Sequence, residues 1–448
     1  MPTLPSLTLL PTHLSKEERR REAAIRTIPI RTWLVLLLAA AYFLIHGPIH
    51  ASSNYANDFA APYTSARLWL QHQNPYDASR FMTTWQAAGA PLLKPGGSEP
   101  VYANPSSTHS VYPPPSIVVL APFALLSWPT AWAMLTILST VLYVLALLFL
   151  TRLVPGTWQQ LYKPAFLTIG LLFAPSLSAL HVSNVTSLSA TLLLFAVYLI
   201  VDDSKPMDRS IIIAVLLALS LSLKPTLAPF ILLYLVITKR WRIVTITLGL
   251  LATLTATFQL LQPNLNWLTS LRSNIDFLFH AGVADLAERN LARSDRIDLQ
   301  LPAYTLTHSR TAATLIAAVV TLILLALWFR FSLQSDPIPD HRILLLSTLL
   351  TLGLLPFYQR FYSAIVLLLP VLWALRNLNT PATKKYARWI FALCSVFLVN
   401  TSVVPRLFGV LSDPNHPLTE IFLTPHLCWL LLALPLLLLQ TQRQAQNC

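Results

Sequence analysis

Charged residues are scarce in this sequence: they make up 11% of its 448 residues, whereas 55% are hydrophobic. A soluble domain carries about 25% charged residues, so this composition excludes an ordinary soluble protein. Only 10 glycines are present, and neither a G-x-G-x-x-G nor a Walker A sequence occurs, which argues against a nucleotide-binding fold or an ATP-driven pump. The three cysteines leave no disulfide framework and no cysteine-based metal site.

Long apolar runs occupy most of the chain. They predict an all-α polytopic membrane protein with about 12 transmembrane helices. A shorter apolar stretch at 116–126 is bounded by prolines and predicts a re-entrant or interfacial element that does not cross the bilayer. The runs lie at about 32–46, 130–151, 165–180, 185–201, 210–223, 226–238, 243–261, 312–331, 342–356, 361–376, 389–405 and 425–440.

The basic residues indicate how the chain is oriented. The sequence has 31 Lys and Arg against 18 Asp and Glu, a net charge of +13. If residue 1 is cytoplasmic and every run crosses, about two thirds of the cations lie on the cytoplasmic side, as the positive-inside rule requires. The excess therefore indicates topology, and no nucleic-acid partner is expected. This topology predicts a cytoplasmic tail at 1–32, a transmembrane domain at 33–448, both termini in the cytoplasm, and outer loops at 47–115 and 262–311.

Polar residues from distant parts of the chain are predicted to meet at the outer face. They include two cations, Lys224 and Arg360, that oppose the charge bias. A bound anion such as a phosphate would explain their positions, and snorkelling of a side chain at a helix end is the alternative. His181 is either a further ligand contact or a structural residue at a helix end.

The two outer loops each predict helical structure. In the first, Phe59, Tyr63, Ala66 and Leu70 share a stripe that predicts a helix on the membrane surface, with Asp58 at its start as either an N-cap or a functional carboxylate. In the second, mixed charges at 272–298 predict a solvated helix over the site. No His and carboxylate cluster has metal-ligand spacing, so no metal is expected.

Several motifs resemble those of glycosyltransferase family 87. The first loop carries the most specific similarity, and in the later motifs Val182 and Ser183 replace the Gly-Gln of a Gly-Gln-x-Asn turn. The motifs are Asp58-Phe59 with Tyr63, Ala66 and Leu68; Asn74-Pro75-Tyr76; Tyr112-Pro113-Pro114 with Ala121-Pro122-Phe123; His181 to Asn184; Leu223-Lys224-Pro225; Lys239-Arg240-Trp241-Arg242; and Leu355-Pro356-Phe357-Tyr358.

The resemblance implies a GT-C fold and a polyprenol-phosphate-sugar-dependent membrane enzyme similar to bacterial mannosyltransferases. Such an enzyme moves a hexose such as mannose, with inversion, to a lipid or glycan acceptor at the periplasmic face of the inner membrane, without a cofactor. It implies Asp58 as the general base. Lys224 and Arg360 are then the candidates for the donor phosphate, and His181, Asn184, Tyr112 and Tyr358 for further sugar or phosphate contacts.

Two other classes of membrane protein fit the architecture. A polytopic lipid or glycan transporter or flippase would carry ionisable groups at mid-membrane on broken helices, whereas the charges here lie near the ends of the runs. A protein O-mannosyltransferase or aminoarabinose transferase typically has an acidic pair early in the first loop, where this chain has Asn57 beside Asp58.

Overall fold

The structure of the protein is a computed structural model that describes residues 30–52, 58–92, 108–154, 159–202, 209–282, 284–286, 295–332, 339–399, 422 and 424–446. The predicted tail at 1–32 therefore lies almost entirely outside the described residues, as do parts of both outer loops. In the described part, secondary structure is helical apart from one isolated antiparallel bridge between Arg296 and Arg360.

Eighteen α-helices are described, and five of them have short extensions of different pitch, of which the two longest belong to the first and sixteenth helices. A π-turn at Ile45–Ile49 continues the first helix, and a 3-10 segment at Phe361–Leu367 leads into the sixteenth. The helices are α1 (Ile30–Leu44), α2 (Ala60–Leu70), α3 (Phe81–Ala87), α4 (Pro114–Ala124), α5 (Trp128–Leu150), α6 (Gln159–Leu172), α7 (Ala174–His181), α8 (Thr186–Val201), α9 (Ser210–Leu223), α10 (Pro229–Ile237), α11 (Trp241–Leu261), α12 (Trp267–His280), α13 (Gln300–Thr307), α14 (Arg310–Ser332), α15 (Pro339–Gly353), α16 (Leu368–Asn377), α17 (Lys384–Ser395) and α18 (His426–Gln446).

Four described helical segments are long and apolar enough to cross a membrane. They are Ile30–Ile49, Trp128–Leu153, Trp241–Leu261 and Arg310–Ser332, and a fifth arises if α6 and α7, which meet at an angle of 41°, form one broken span. Many large apolar side chains on these helices are exposed, such as Leu37 and Ile137. Exposed apolar faces of this size suit contact with lipid, so the chain is a multi-pass membrane protein.

The predicted number of about 12 transmembrane helices is not confirmed. Several of the apolar runs form helices of 10–17 residues, which by length alone do not span a bilayer. Helix α8 shows why hydropathy alone does not decide the number: nearly all of its residues are buried inside the protein, so apolar side chains lie on every side of the helix. A buried core helix and a lipid-facing helix share this composition.

The first outer loop folds inward. Helix α2 was expected to lie on the membrane surface, but nearly all of its residues are buried, so that prediction is wrong. The helix packs against α4, and the Trp69 Nε1–H group donates to the carbonyl of Phe258 at 3.1 Å. Tyr63 donates to the carbonyl of Leu126 at 2.7 Å, which ties the loop to the turn between α4 and α5.

Helix α4 corresponds to the short element predicted at 116–126. It has 11 residues, about half the length needed to cross a bilayer. Pro114 and Pro115 occupy the first turn, where a missing N–H group costs no hydrogen bond. Together with α2 and α3 this helix belongs to a second apolar cluster beside the main core, and the candidate site lies where the two clusters meet, with Leu223 in one and Tyr362 in the other.

Candidate active site

One cavity of about 440 Å³ collects most of the predicted site residues. They come from five separate parts of the chain; Asp58 and Asn184, for example, are 126 residues apart in sequence and in direct contact. Apolar side chains of α12 line another part of the wall, among them Leu278 and Phe279. The predicted residues at this cavity are Asp58, Tyr112, Asn184, Lys224, Tyr358 and Arg360.

Asp58 faces the cavity instead of capping helix α2. The N-cap of α2 is Phe59, and no side chain caps the helix there. The backbone N–H group of Asp58 donates to the carbonyl of Val182 at 3.2 Å, and its Oδ2 atom accepts from Asn184 Nδ2 at 2.7 Å. Among the described residues, no hydrogen bond reaches the Oδ1 atom of Asp58. The carboxylate is thus held by one oxygen and can accept a proton at the other.

Asn184 is fixed by the turn between α7 and α8. The backbone N–H groups of Ser183 and Asn184 donate to the carbonyls of Leu180 and Ala179, the pattern of a Schellman motif. Ser183 adopts a φ of 50°, in the left-handed region that the motif requires. The Oδ1 atom of Asn184 accepts from the N–H group of Thr186 at 2.7 Å, which leaves the Nδ2 group to donate to Asp58.

Lys224 reaches the cavity because α9 ends just before a proline. Steric clash with Pro225 disfavours the helical conformation at the preceding residue, and Lys224 has φ −145° and ψ 87°. Burial lowers the pKa of its ammonium group to about 8; the Arg360 charge acts in the same direction and the Asp58 carboxylate in the opposite one. An anion bound beside Lys224 would favour the charged form.

Arg360 and Lys224 lie over the same aromatic ring. Lys224 Nζ is 5.7 Å and Arg360 Cζ is 5.8 Å from the centroid of the Tyr362 ring. Arg360 also forms an ion pair with Asp295, with 3.1 Å between Nη2 and Oδ2. The charged side chains that line the cavity are Asp58, Lys224 and Arg360, and the two adjacent cations suit an anion.

Tyr112 and Tyr358 add two phenol groups to the wall. Burial raises the pKa of both phenols; the Asp58 charge adds to this at Tyr112, whereas at Tyr358 the Arg360 and Arg296 charges oppose it without cancelling it, so both hydroxyls stay protonated at neutral pH. They can therefore donate hydrogen bonds to a ligand. The backbone carbonyl of Tyr112 accepts from the Tyr76 hydroxyl at 3.1 Å, which fixes this part of the first outer loop.

A buried ion pair supports the segment that carries Tyr358 and Arg360. Arg296 and Asp298 are 1% and 0% exposed and form a bidentate pair, with 3.1 Å from Nε to Oδ2 and 3.0 Å from Nη2 to Oδ1. Arg296 Cζ also lies 4.9 Å from the centroid of the Tyr358 ring. The prediction of a solvated helix at 272–298 is therefore wrong for these two residues.

Asp298 also accepts hydrogen bonds from two backbone segments that are distant in sequence. Its Oδ1 atom accepts from the N–H group of Gln300 and its Oδ2 atom from the N–H group of Gln359, each at 3.2 Å. The Ile297 N–H group donates to the Gln359 carbonyl at 3.1 Å. We call residues 295–300 the clamp segment, because they hold the backbone next to Arg360. Arg296 and Asp298 are two residues apart, so their side chains lie on the same side of an extended chain. This spacing is the sequence signal from which the pair could have been predicted.

Not every predicted aromatic or polar contact is brought to the cavity. His181 is exposed at the end of α7 and does not line it. Trp85 of the first outer loop is fully buried, with its ring 5.3 Å from that of Trp128, and does not line the cavity. Thr226 and Gln300 line the cavity and were not predicted. Among the described residues, no three His, Cys, Asp or Glu side chains could hold a metal ion together.

These features define a class: a helical, multi-pass membrane protein with a largely apolar cavity that carries one carboxylate and two cations. The family model of glycosyltransferase family 87 matches residues 111–356, more than half of the chain. The chain belongs to this family of membrane glycosyltransferases of GT-C type, and the predicted resemblance is confirmed. The match contains Tyr112, Asn184 and Lys224, begins after Asp58 and ends before Tyr358. No curated protein and no solved structure matches this chain.

Proposed function

We propose that this glycosyltransferase moves a sugar, with inversion, from a polyprenyl-phosphate donor to a hydroxyl group of a lipid or glycan acceptor. A hexose such as mannose is the proposed sugar. The observation that carries the proposal is the convergence of Asp58, Lys224 and Arg360 on one cavity. A carboxylate and two cations at one cavity support a reaction that needs a base and a partner for a phosphate group.

Asp58 is the proposed general base. In the transfer, the acceptor oxygen forms a bond to the anomeric carbon, and the bond between that carbon and the phosphate oxygen breaks. The acceptor proton passes to Asp58 Oδ1, while Asn184 holds the other carboxylate oxygen in place. A base within hydrogen-bond reach of the acceptor typically contributes about 10²–10⁴-fold to the rate.

Lys224 and Arg360 are the proposed ligands of the donor phosphate. The donor is a phosphodiester with one negative charge, and the polyprenyl phosphate that leaves carries a second. Both cations lie at the Tyr362 ring, so both can stabilise the charge that develops on the leaving group. Arg360 offers a planar fork for two phosphate oxygens and Lys224 a point charge. The proposed reaction needs no cofactor.

The remaining wall of the cavity fits the rest of the donor. Tyr112 and Tyr358 provide hydroxyl donors for sugar or phosphate oxygens. Ile275, Leu278 and Phe279 on α12 provide an apolar surface for the first units of the lipid chain. We place this cavity at the periplasmic face of the inner membrane, with both termini in the cytoplasm, because that orientation satisfies the positive-inside rule.

Purified protein incubated with a panel of polyprenyl-phosphate sugars tests the proposal. We expect the consumption of one donor in the presence of an acceptor extract. Donor that is bound and never consumed would contradict transfer and favour the transporter alternative.

The roles of the two cations are tested separately with the donor that reacts. Lys224→Ala and Arg360→Ala should each raise the KM for the donor. Arg80→Ala is the matched control, because Arg80 is an exposed cation of the first outer loop whose ion-pair partner, Asp77, lies outside the cavity. Unchanged kinetics in both cavity variants would leave snorkelling as the explanation of their positions.

A further inference from the structure

Helix α17 carries a basic face that the proposed reaction does not use. Its twelve residues, Lys384–Ser395, contain no acidic side chain. Ala387, Ile390 and Cys394 face the protein and are buried. The opposite face is exposed and carries Lys384, Lys385, Arg388 and Trp389.

These side chains line an open, shallow groove along α17. The groove has a volume of about 580 Å³ and is lined by three cations, one aromatic residue and two small apolar residues. Among the described residues that line it, none is acidic. The three cations therefore give the groove a positive charge. Its lining residues are Pro381, Lys384, Lys385, Arg388, Trp389 and Ala392.

The groove and the candidate active site lie at opposite ends of one helical segment. Residues Phe361–Asn377 form one apolar helical segment that begins next to Arg360 and ends seven residues before α17. The seven 3-10 residues rise about 2.0 Å each and the ten α-helical residues about 1.5 Å each, so the segment is roughly 29 Å long. In the topology proposed above, the apolar run at 361–376 crosses the bilayer, so the groove lies at the membrane face opposite Arg360, and the inference rests on that proposed orientation.

The turn between α16 and α17 holds the groove in position. The Asn379 Nδ2 group donates to the Tyr162 hydroxyl at 2.7 Å, which joins this turn to the start of α6. Thr383 donates to the Asn377 side chain at 3.2 Å and so closes the turn on itself. The first turn of α17, which carries two of the lysines, is therefore held in place by contacts within the protein.

We propose that this groove binds the head group of an anionic phospholipid in the leaflet opposite the candidate active site. The three cations neutralise the lipid phosphate. Trp389, which is 57% exposed, lies beside them, and an indole ring is most stable at the boundary between head groups and acyl chains. Ala392, one turn further along, gives the lipid an apolar surface below its phosphate. A soluble anion would gain nothing from these two residues.

Native mass spectrometry of the purified full-length protein tests the proposal. The protein is exposed to equal amounts of phosphatidylglycerol and phosphatidylcholine in detergent, and the retained lipids are counted. We expect wild-type protein to retain phosphatidylglycerol preferentially. The Lys384→Ala/Lys385→Ala variant should lose about fivefold in affinity for each cation removed, whereas Lys384→Arg/Lys385→Arg should keep the preference.

Arg330→Ala is the matched control, because Arg330 is an exposed cation on α14 that does not line the groove. It should bind phosphatidylglycerol as the wild type does. An equal loss in this control would overturn the proposal by showing that diffuse surface charge attracts the lipid. Unchanged retention in the double alanine variant would overturn it directly. Inorganic phosphate that occupies the groove as tightly as the lipid would overturn the assignment to a membrane lipid.

Discussion

Replacing Asp298 with asparagine should destabilise the protein and loosen the candidate site at the same time. Asp298 is 0% exposed and accepts two hydrogen bonds from Arg296 and two from backbone N–H groups. Asparagine has nearly the same shape but leaves the Arg296 charge buried without a counterion. Breaking a buried ion pair in this way costs about 3–5 kcal/mol. The backbone beside Arg360 also loses its acceptor at Asp298 Oδ2.

The matched control is Asp276→Asn. Asp276 is paired with Arg272, but both side chains are largely exposed and 4.0 Å apart, so the loss should be below about 1 kcal/mol. Thermal unfolding in detergent measures both variants against the wild type. The reasoning is refuted if Asp298→Asn unfolds at the same temperature as Asp276→Asn.

A kinetic readout distinguishes positioning from stability alone. At a temperature where Asp298→Asn remains folded, its KM for the donor should rise more than its kcat falls, because Arg360 is no longer held toward the donor phosphate. A kcat that falls with an unchanged KM would contradict the role of the clamp segment in donor binding.

Three further predictions concern Asn184, Lys224 and the topology. Asn184→Ala removes the hydrogen bond that orients Asp58, so kcat should fall on the order of tenfold with little change in KM, and equal kinetics would argue against this contact. Burial lowers the pKa of Lys224 to about 8, so donor affinity should fall as pH rises through that value. The Lys224→Arg variant keeps its charge in this range and should abolish the pH dependence in a binding titration. A reporter enzyme fused after Arg242 should be active in the cytoplasm, and periplasmic activity would reverse the proposed orientation.

Most of the site residues could be predicted from the sequence because they depart from the pattern expected of their surroundings. In the predicted topology, Lys224 and Arg360 are cations at the outer ends of apolar runs, where the positive-inside rule disfavours them, and both line the cavity. His181 follows the same pattern but remains outside, since its position at the end of α7 exposes it. No local rule separates these outcomes, because they depend on how the helices pack.

The fold could be predicted less completely from the sequence, for a related reason. Residue patterns give the helices, but a stripe such as that of α2 shows only which face is apolar. It does not show that a second element, α4, covers the remaining face. In the same way, a stretch of mixed charge resembles a solvated helix until the partners of Arg296 and Asp298 are known. Contacts between distant residues supply that information.

The central claim is that Asp58 takes the proton from the acceptor. Its most direct test is the rate of donor consumption by Asp58→Asn at saturating donor and acceptor. The control is Asp77→Asn, which changes a partly exposed carboxylate that caps a short helix in the same loop and does not line the cavity. The account predicts a loss of about 10²–10⁴-fold for Asp58→Asn with donor binding retained, and wild-type rates for Asp77→Asn. Full activity of Asp58→Asn would contradict it.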